Sequence, residues 1–230
     1  MYFTLTDEQA QMQSAAREFV ENREAIEFAR RQDDGENVVP EVWEELAEID
    51  YTALTVPFDQ GGLGDGILYL AIVLEELGRV ALPGPFPETM AFAVPLIEDL
   101  GTDNQREEYL PAVAEGDRRF SVALYDDGDE SLPAAITLDA TREGDSFVLD
   151  GAKALVPYGA AVDSLVVAAR TGDGDGYEGV SLFVVNTADP GVTAEQRSTL
   201  DATRPMSSVT FDGVRADLLG TLDEGGAPLR

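Results

Sequence analysis

Two reactive residue types are missing from this chain of 230 residues, which contains no cysteine and no histidine. The absence of cysteine excludes disulfides, thiol nucleophiles and thiolate metal sites. The absence of histidine removes the most common general base and the most common metal ligand. Chemistry within this chain therefore depends on carboxylates, hydroxyls, amides or a bound cofactor, and no metal site is predicted.

Basic residues are scarce, and this restricts the partners that the chain can bind. Fifteen lysine and arginine residues stand against 45 aspartate and glutamate residues, for a formal net charge of −30 at pH 7. A surface of this sign repels nucleic acid and anionic lipid, so neither is predicted as a partner. The acidic residues are dispersed instead of forming one tail. Two explanations stay open: a host with high internal salt, or an ordinary acidic protein.

Long hydrophobic runs are missing as well. No run approaches the roughly 18 apolar residues that a membrane-spanning helix needs. The residues from Met1 to Glu8 lack the basic region and apolar stretch of a secretion signal. Together these observations predict a cytoplasmic protein without a membrane partner.

The first half of the chain has the pattern of a helical domain. The segments Thr6-Asp7-Glu8-Gln9 and Thr102-Asp103-Asn104-Gln105 are capping boxes, and each predicts the start of a helix. Pro40 suits the first turn of another helix. The residues from Ile67 to Leu77 are apolar on almost every face, which predicts a helix buried among others. A further helix is predicted from Thr89 to Leu100.

From about residue 117 the apolar period shortens to two, which indicates β-strands. Asp150-Gly151 has the composition of a tight turn between two of them. Short strands at this spacing are typical of an antiparallel sandwich or barrel. The sequence therefore predicts an α+β chain, with a helical domain over 1–116 and a β-domain over 117–220. The predicted strand segments are Phe120 to Leu124, Ile136 to Ala140, Phe147 to Leu149, Ala152 to Val156, Ser164 to Arg170, Val180 to Asn186 and Ser207 to Phe211.

Four segments carry recognisable motifs in a fixed order. The first segment (57–79) contains GGLG and EELGR, and the second (101–116) contains GT, Q, YLP and G. The third (149–163) contains LDGAK followed by a Gly and an Asp, and the fourth (200–214) contains LDATR and VTFDGV. Each motif alone is weak evidence. Together they cover the chain from about residue 5 to 225 and bracket the change from helical to strand pattern. In this order and spacing the chain resembles the acyl-CoA dehydrogenase family.

The resemblance implies a flavoprotein that oxidises an acyl-CoA thioester, of a fatty acid or sterol side chain, to its 2,3-enoyl form. In that family a helical N-terminal domain, a β middle domain and a C-terminal helical bundle enclose FAD, which performs the redox chemistry. The bundle carries the glutamate base. No catalytic residue is therefore expected in this chain, whose residues 221–230 would begin the linker to that bundle. The implied partners are acyl-CoA and an acyl-CoA dehydrogenase-like chain, with which this chain would form a homo- or hetero-oligomer.

The resemblance also implies which residues face the cofactor and the substrate. Tyr125 and Pro157 stand where the family has threonines beside the flavin, so both hydroxyls are lost, and Pro157 has no N–H to donate. The acidic segment 126–129 would place negative charge near the CoA diphosphate. Ser131 is expected on the CoA side. The residues predicted to contact FAD are Val122, Leu124, Tyr125, Leu155, Val156 and Pro157.

Several motifs have a structural interpretation beside a functional one. Gly61 to Gly64 lack the preceding strand and the spacing of a phosphate-binding loop, so a turn between helices is predicted. The spacing of Glu75 and Arg79 favours an ion pair on a helix over a catalytic acid. Family analogy makes Lys153, the only lysine, a structural or edge-strand charge. Arg204 could pair with a local acid or approach a cofactor in a dimer, and the sequence does not choose between the two.

The missing third domain leaves three explanations open: a fragment, a domain supplied by a second polypeptide, or a degenerate subunit of a hetero-oligomer. The alternative function is a non-catalytic partner subunit that does not itself bind FAD. A flavin oxidase or monooxygenase on the same fold is a further possibility. A yellow protein would favour flavin binding by this chain, and a colourless one would favour the non-catalytic subunit.

Overall fold

The computed structural model describes residues 4–22, 25–126, 128, 131–132, 134–144, 146–174 and 176–229. A helical layer comes first and a sheet layer follows, which confirms the predicted fold class. The α-helices are α1 (Asp7–Asn22), α2 (Ile26–Asp33), α3 (Val39–Ala47), α4 (Ile67–Arg79), α5 (Val94–Leu100) and α6 (Asp103–Ala114). The strands are β1 (Phe120–Ala123), β2 (Ala140–Glu143), β3 (Ser146–Pro157), β4 (Ser164–Arg170), β5 (Val180–Asn186), β6 (Val192–Gln196) and β7 (Met206–Leu219).

The predicted helix starts are present in the structure. At α1 the Gln9 backbone N–H donates to the Thr6 hydroxyl at 3.2 Å, and the Thr6 N–H donates to the Gln9 side chain at 3.0 Å. Thr102 and Gln105 form the same reciprocal pair at the start of α6. Both capping boxes satisfy N–H groups that the first helical turn leaves without intrahelical partners.

The turn before α4 depends on a close approach of two backbone segments. A Cβ atom on Gly62 would lie 2.0 Å from the carbonyl oxygen of Val56, so only glycine fits there. The segment is a turn between helical elements, as predicted, and it leads into α4.

The structure differs from the sequence prediction on α4 in two respects. Leu70, Val73 and Leu77 are buried, but Ile67 and Leu68 in the first turn are 60% and 63% exposed, so the prediction of burial on almost every face was wrong there. The predicted ion pair of Arg79 with Glu75 was also wrong. Arg79 instead contacts Glu76 at 3.0 Å, because Glu76 lies on the buried face with Arg17 as its second partner. Within the described residues no helix is both long and apolar enough to cross a membrane.

The helix predicted from Thr89 begins earlier and is locally widened. Residues Pro87–Ala93 form a π-helix that continues directly into α5. At the junction the Val94 N–H donates to the Thr89 carbonyl five residues back, and the next residue, Pro95, has no N–H. Such widened turns occur frequently at functional sites. We refer to Pro87–Leu100 as the cleft helix.

The sheet has the order β1-β4-β5-β7-β3-β2, with β6 also on β7. All of these pairs are antiparallel except β1 with β4, which run parallel. This one parallel pair departs from the predicted all-antiparallel arrangement. It arises because the chain reaches β4 from β1 by way of the β2–β3 hairpin and not by a tight turn.

The Asp150-Gly151 dipeptide lies within a strand, so the prediction of a turn there was wrong. β3 runs without a break from Ser146 to Pro157, and its register with β7 shifts between Leu149 and Gly151. Gly151 has a φ of 141°, and a Cβ atom there would approach Leu138 to 2.7 Å. The glycine therefore forms a β-bulge that bends β3.

Two neighbouring interior strands explain how the layers are joined. β4 and β5 are buried on both faces. Leu165 and Val167 face the core between the two halves of the sheet, together with Phe183. Val166 and Leu182 pack with α5 and α6 on the opposite side. Because both faces are covered, these strands are continuously apolar and do not alternate.

Candidate functional site

A cavity of about 640 Å³ lies between the cleft helix and the sheet. Its lining is predominantly apolar, with one arginine and two carboxylates. The lining residues are Glu88, Ala91, Phe92, Pro95, Leu96, Asp99, Leu100, Val122, Leu124, Leu132, Pro157, Val166, Leu182, Arg204, Pro228 and Leu229. A concave apolar space with a few polar groups is the usual form of a small-molecule site.

One hydroxyl fixes the cleft helix against the sheet. The Thr89 O–H donates to the Phe120 carbonyl at 2.9 Å and accepts from the Phe120 N–H at 3.0 Å. Both residues are buried, so these hydrogen bonds are shielded from water. They set the spacing between the helix and the first strand, and hence the width of the cavity.

The ends of β1 and β3 meet at the sheet wall of the cavity. Tyr125 bridges Ala154, whose N–H donates to the Tyr125 carbonyl at 2.7 Å. This contact brings together the two segments that carry the residues predicted to bind FAD. Of those residues, Val122, Leu124 and Pro157 line the cavity.

The other three residues predicted to contact FAD have different environments. Tyr125 and Leu155 are 38% and 54% exposed beside the lining residues. Val156 is fully buried in the core between the two halves of the sheet, so only its backbone is available to a ligand. Leu155 has a φ of 52°, a left-handed conformation that is strained for a leucine, where the register of β3 with β7 shifts a second time.

A buried ion pair supports this wall from behind. Lys153 is fully buried; its ammonium contacts the Asp126 carboxylate and donates to the Leu124 carbonyl at 3.2 Å. Desolvation lowers the pKa of Lys153, while Asp126 acts in the opposite direction. Lys153 is thus a structural charge in the interior and not at a sheet edge. It neutralises the nearest of the acids that sequence analysis placed beside the CoA diphosphate.

Ser131 does not line the cavity. Its side chain is exposed and its carbonyl accepts from the Ala135 N–H at 3.1 Å, while the next residue, Leu132, is part of the lining. Residues 127, 129 and 130, including the remaining predicted acids, lie outside the described residues. A role for Ser131 beside CoA stays a prediction.

The cleft helix supplies lining residues that sequence analysis did not identify. Phe92, Leu96 and Leu100 all line the cavity, and Phe92 is 53% exposed. Their spacing of four places them on one face of the helix, while Val94 and Ile97 are buried on another. The sequence has more apolar residues in this helix than one buried face needs, and this excess was the available signal. The same excess is found in an ordinary core helix, so it did not identify a cavity wall.

Arg204 pairs with an acid on the cleft helix, as the first of its two interpretations expected, and an approach to a cofactor in a dimer stays a prediction. Its Nη2 donates to Glu88 Oε1 at 2.6 Å. The Arg204 side chain is 51% exposed, whereas the Glu88 side chain is 1% exposed. The other carboxylate oxygen, Glu88 Oε2, is buried and has no hydrogen-bond partner in the part of the chain that the structure describes. An ion pair is thus built into a predominantly apolar cavity.

Tyr158 holds the segment that carries Arg204. Its hydroxyl donates to the Thr203 carbonyl at 2.9 Å and accepts from the Gly84 N–H at 3.0 Å. Burial raises the pKa of Tyr158 to about 12, so the phenol is neutral in the physiological range. The helical layer and the 201–205 segment are therefore joined beside the cavity.

Comparison with known proteins matches this architecture to one family. Residues 6–117 match the family model "Acyl-CoA dehydrogenase, N-terminal domain", and residues 121–214 match "Acyl-CoA dehydrogenase, middle domain". The chain belongs to the acyl-CoA dehydrogenase family. The resemblance found in the four sequence motifs is confirmed.

Curated relatives and solved structures of acyl-CoA dehydrogenases extend over most of this chain. The mitochondrial isobutyryl-CoA dehydrogenase of Dictyostelium discoideum is 28% identical, covering 96% of this chain and 54% of the relative. The structure of an acyl-CoA dehydrogenase from Geobacillus kaustophilus has a TM-score of 0.91 and 25% identity, covering 100% of this chain and 62% of that one. The ChsE4-ChsE5 complex of Mycobacterium tuberculosis has a TM-score of 0.86 and 25% identity, covering 100% and 60%. The chain thus spans between half and two thirds of the length of these proteins.

Proposed function

We propose that this chain forms the helical wall and the β wall of a site for FAD-dependent 2,3-dehydrogenation of an acyl-CoA thioester. The observation that supports the proposal best is the apolar cavity between the cleft helix and the ends of β1 and β3. Three of the six residues that motif resemblance assigned to the flavin, Val122, Leu124 and Pro157, line this cavity from the ends of two separate strands. Family membership supports the reaction class.

The sheet wall fits the apolar faces of a flavin ring but offers few side-chain donors. Val122, Leu124 and Pro157 present an apolar surface, and Tyr125 supplies a phenol in place of the smaller threonine. FAD, when bound, would accept a hydride from the acyl group. On this surface the chain would hold the ring by apolar contact and by backbone groups at the ends of β1 and β3.

The side chains of this chain would bind the substrate and exclude water, and we assign none of them a catalytic role. Phe92, Leu96 and Leu100 form the apolar face opposite the sheet wall, where they would contact the acyl group. Glu88 is engaged with Arg204 and is therefore unsuited to remove a proton. The base would come from a part of the enzyme beyond these two walls.

The proposal includes the arrangement of the whole protein. We place the helical domain at 1–116, the β-domain at 117–220 and a linker at 221–230. The partners would be acyl-CoA and an acyl-CoA dehydrogenase-like chain in a homo- or hetero-oligomer, in keeping with structural similarity to the ChsE4-ChsE5 complex. The cytoplasmic location stays a prediction.

A second candidate function is a non-catalytic partner subunit that does not bind FAD itself. The observation in its favour is the chemistry of Tyr125 and Pro157, because proline has no hydroxyl and the Tyr125 phenol lies at the end of a much longer side chain than the threonine hydroxyl it replaces. In that case this chain would stabilise a full-length partner, which would hold the complete site.

Absorbance and turnover test the two candidates. Flavin absorbance at about 450 nm is measured for the purified native complex and for the isolated chain. Oxidation of acyl-CoA is measured for both with an artificial electron acceptor. We expect turnover by the complex and none by the isolated chain. Robust turnover by the isolated chain would contradict the division of the site. An isolated chain that retains flavin supports the first candidate, and an active complex whose flavin lies only on the partner supports the second.

A further inference from the structure

The Glu88–Arg204 ion pair lies between two cavities. A second cavity of about 280 Å³ is bordered by Leu74, Leu77, Gly84, Phe86 and Tyr158 among others, on the side of the helical layer. Its lining and that of the 640 Å³ cavity have only Glu88 and Arg204 in common among the described residues. We call the 640 Å³ cavity the acyl cavity. The ion pair is the wall that separates it from the second cavity.

This wall is polar, whereas most of the acyl cavity is not. Arg204 is about half exposed and lines both spaces. An apolar group pressed against it would remove water from the guanidinium without supplying an acceptor, which is unfavourable. A ligand oxygen at the same place would accept from the guanidinium. A site built to hydrogen-bond an oxygen function discriminates strongly against the analogue that lacks it.

The carboxylate of the pair points to the same type of ligand. The Glu88 side chain is 1% exposed, and its Oε2 has no hydrogen-bond partner among the described residues. A buried polar atom without a partner is costly and rare in folded proteins. A hydroxyl group that reaches the pair could donate to Glu88 and accept from Arg204, and would thereby satisfy both.

The position of the pair is fixed by the surrounding hydrogen bonds. Tyr158 ties Thr203 to Gly84, as described above. The Asp201 carboxylate accepts from the Thr203 N–H at 3.0 Å and from the Thr203 hydroxyl at 2.6 Å. Arg204 thus follows a constrained turn, which limits the entropy lost when it engages a ligand.

The charge balance argues against an anionic ligand group. Glu88 already neutralises Arg204, so an additional carboxylate would leave the group of three with a net negative charge. The chain as a whole has a formal net charge of −30, which adds to the repulsion. A neutral oxygen, as in a hydroxyl or keto group, avoids both effects.

We propose that Arg204, positioned by Glu88, is a specificity residue that selects acyl groups carrying a neutral oxygen function. This inference rests on the proposed acyl-CoA function and names the substrate class of the same cavity. Apolar acyl groups of equal length bind less well because they remove water from the Arg204 guanidinium without supplying a hydrogen-bond acceptor.

The test uses the native complex and three matched series of acyl-CoA probes. The series are ω-hydroxyacyl-CoA thioesters, unsubstituted thioesters of the same chain lengths, and ω-carboxyacyl-CoA thioesters. Binding is measured by calorimetry, and kcat/KM is measured with an artificial electron acceptor. At the chain length that reaches the wall we expect the hydroxyacyl probe to exceed the unsubstituted one on the order of 100-fold in kcat/KM.

Two variants and one control separate recognition from folding. Arg204→Met should reduce the preference for the hydroxyacyl probe at least about tenfold, and Arg204→Lys should restore part of it, because a donor and its charge return. Arg17→Met is the matched control. Arg17 forms an ion pair with Glu76 at 2.6 Å in the helical layer, outside both cavities. The exposed fractions match the Arg204–Glu88 pair, with 51% for the Arg17 side chain and 2% for the Glu76 side chain. The control variant should lower the melting temperature without changing the preference.

The outcomes distinguish this inference from the function on which it rests. If the complex binds none of the probes and oxidises none, the proposed function and the inference both fail. If it oxidises hydroxyacyl and unsubstituted probes equally at every length, or prefers the carboxyacyl series, only the inference is overturned. An equal loss of preference in the Arg17→Met control would also overturn it.

Discussion

Lys153 is a charged residue that the fold holds away from water. Its ammonium is fully buried and faces Asp126, which also accepts from the Thr137 hydroxyl at 2.7 Å and the Leu138 N–H at 2.6 Å. We expect Lys153→Met to lower the free energy of unfolding by about 3 kcal/mol, because it leaves a buried carboxylate without its cation. Chemical denaturation of the variant and the wild type measures this difference.

The double variant Lys153→Met/Asp126→Asn is the companion experiment. It removes both charges, so we expect it to recover part of the lost stability and to lie closer to the wild type than the single variant does. A double variant that is less stable than Lys153→Met would contradict the view that an uncompensated charge is the cause.

Tyr158 makes stability depend on pH in the alkaline range. Its pKa is raised in the folded chain from an ordinary value near 10 to about 12 because the phenol is buried. Between these values the unfolded chain loses the proton while the folded chain keeps it, so the free energy of unfolding falls as the pH rises from about 10 toward 12. Denaturant titrations across this range should show a smaller decline in Tyr158→Phe. An equal decline in both proteins would show that other groups are responsible.

Sequence analysis identified some of these residues but not their partners. Family analogy made Lys153 a structural or edge-strand charge, and its burial on β3 agrees with the structural alternative and not with the sheet edge. Arg204 was noticed, but Glu88 was not, since the two are 116 positions apart and nothing local marks them as a pair. An ion pair of this kind depends on how two layers meet, which no local pattern encodes.

At the scale of elements, the second register shift of β3 with β7 places Leu155 in a strained conformation on the proposed cofactor wall. Leucine in the left-handed region costs roughly 1–2 kcal/mol, whereas asparagine tolerates it better. We expect Leu155→Asn to raise the free energy of unfolding by about 0.5–1 kcal/mol. It should also weaken flavin retention by the complex, since an exposed apolar contact is lost.

Leu200→Asn is the matched control for this variant. Leu200 is a fully exposed leucine outside the strands and should tolerate the same change with little effect on stability. A larger loss of stability in Leu155→Asn than in Leu200→Asn would contradict the assignment of strain to Leu155.

The elements themselves were predictable where a local signal determines them. The capping boxes at Thr6 and Thr102 predicted helix starts that the structure contains, since caps act within one turn. Asp150-Gly151 misled because a glycine with positive φ serves a bulge as well as a turn. β6 went unpredicted because it pairs only with β7, and its residues are partly or fully exposed.

For the molecule as a whole, the acidic surface makes stability depend on salt. With a net charge of −30, repulsion within the folded chain is reduced when ions screen it. We expect the melting temperature to rise between about 0.1 M and about 1 M KCl, over which the Debye length falls from about 10 Å to about 3 Å. Chloride is preferred to sulfate, because sulfate strengthens apolar burial by itself. A melting temperature that is constant or falls over this range would contradict the prediction.

The cavity is also a property of the whole molecule, and only half of it was predictable. Its sheet wall was located through motifs near Leu124 and Pro157. The helical wall around Phe92 and Leu96 was missed, because it becomes a wall only when Thr89 hydrogen-bonds to the first strand. Contacts between distant segments determine this surface, and a single sequence gives no information on them.

The long strand β7 has a consequence for biosynthesis. Residues Met206–Leu219 pair with β3 through one part of their length and with β5 through the other, so they are shared by both halves of the sheet. Until the ribosome has released this segment, a nascent chain would expose the unpaired edges of β3 and β5, which invite aggregation. Chaperone contact during translation should therefore persist until β7 has emerged, and ribosome profiling of chaperone-bound nascent chains would show where it ends.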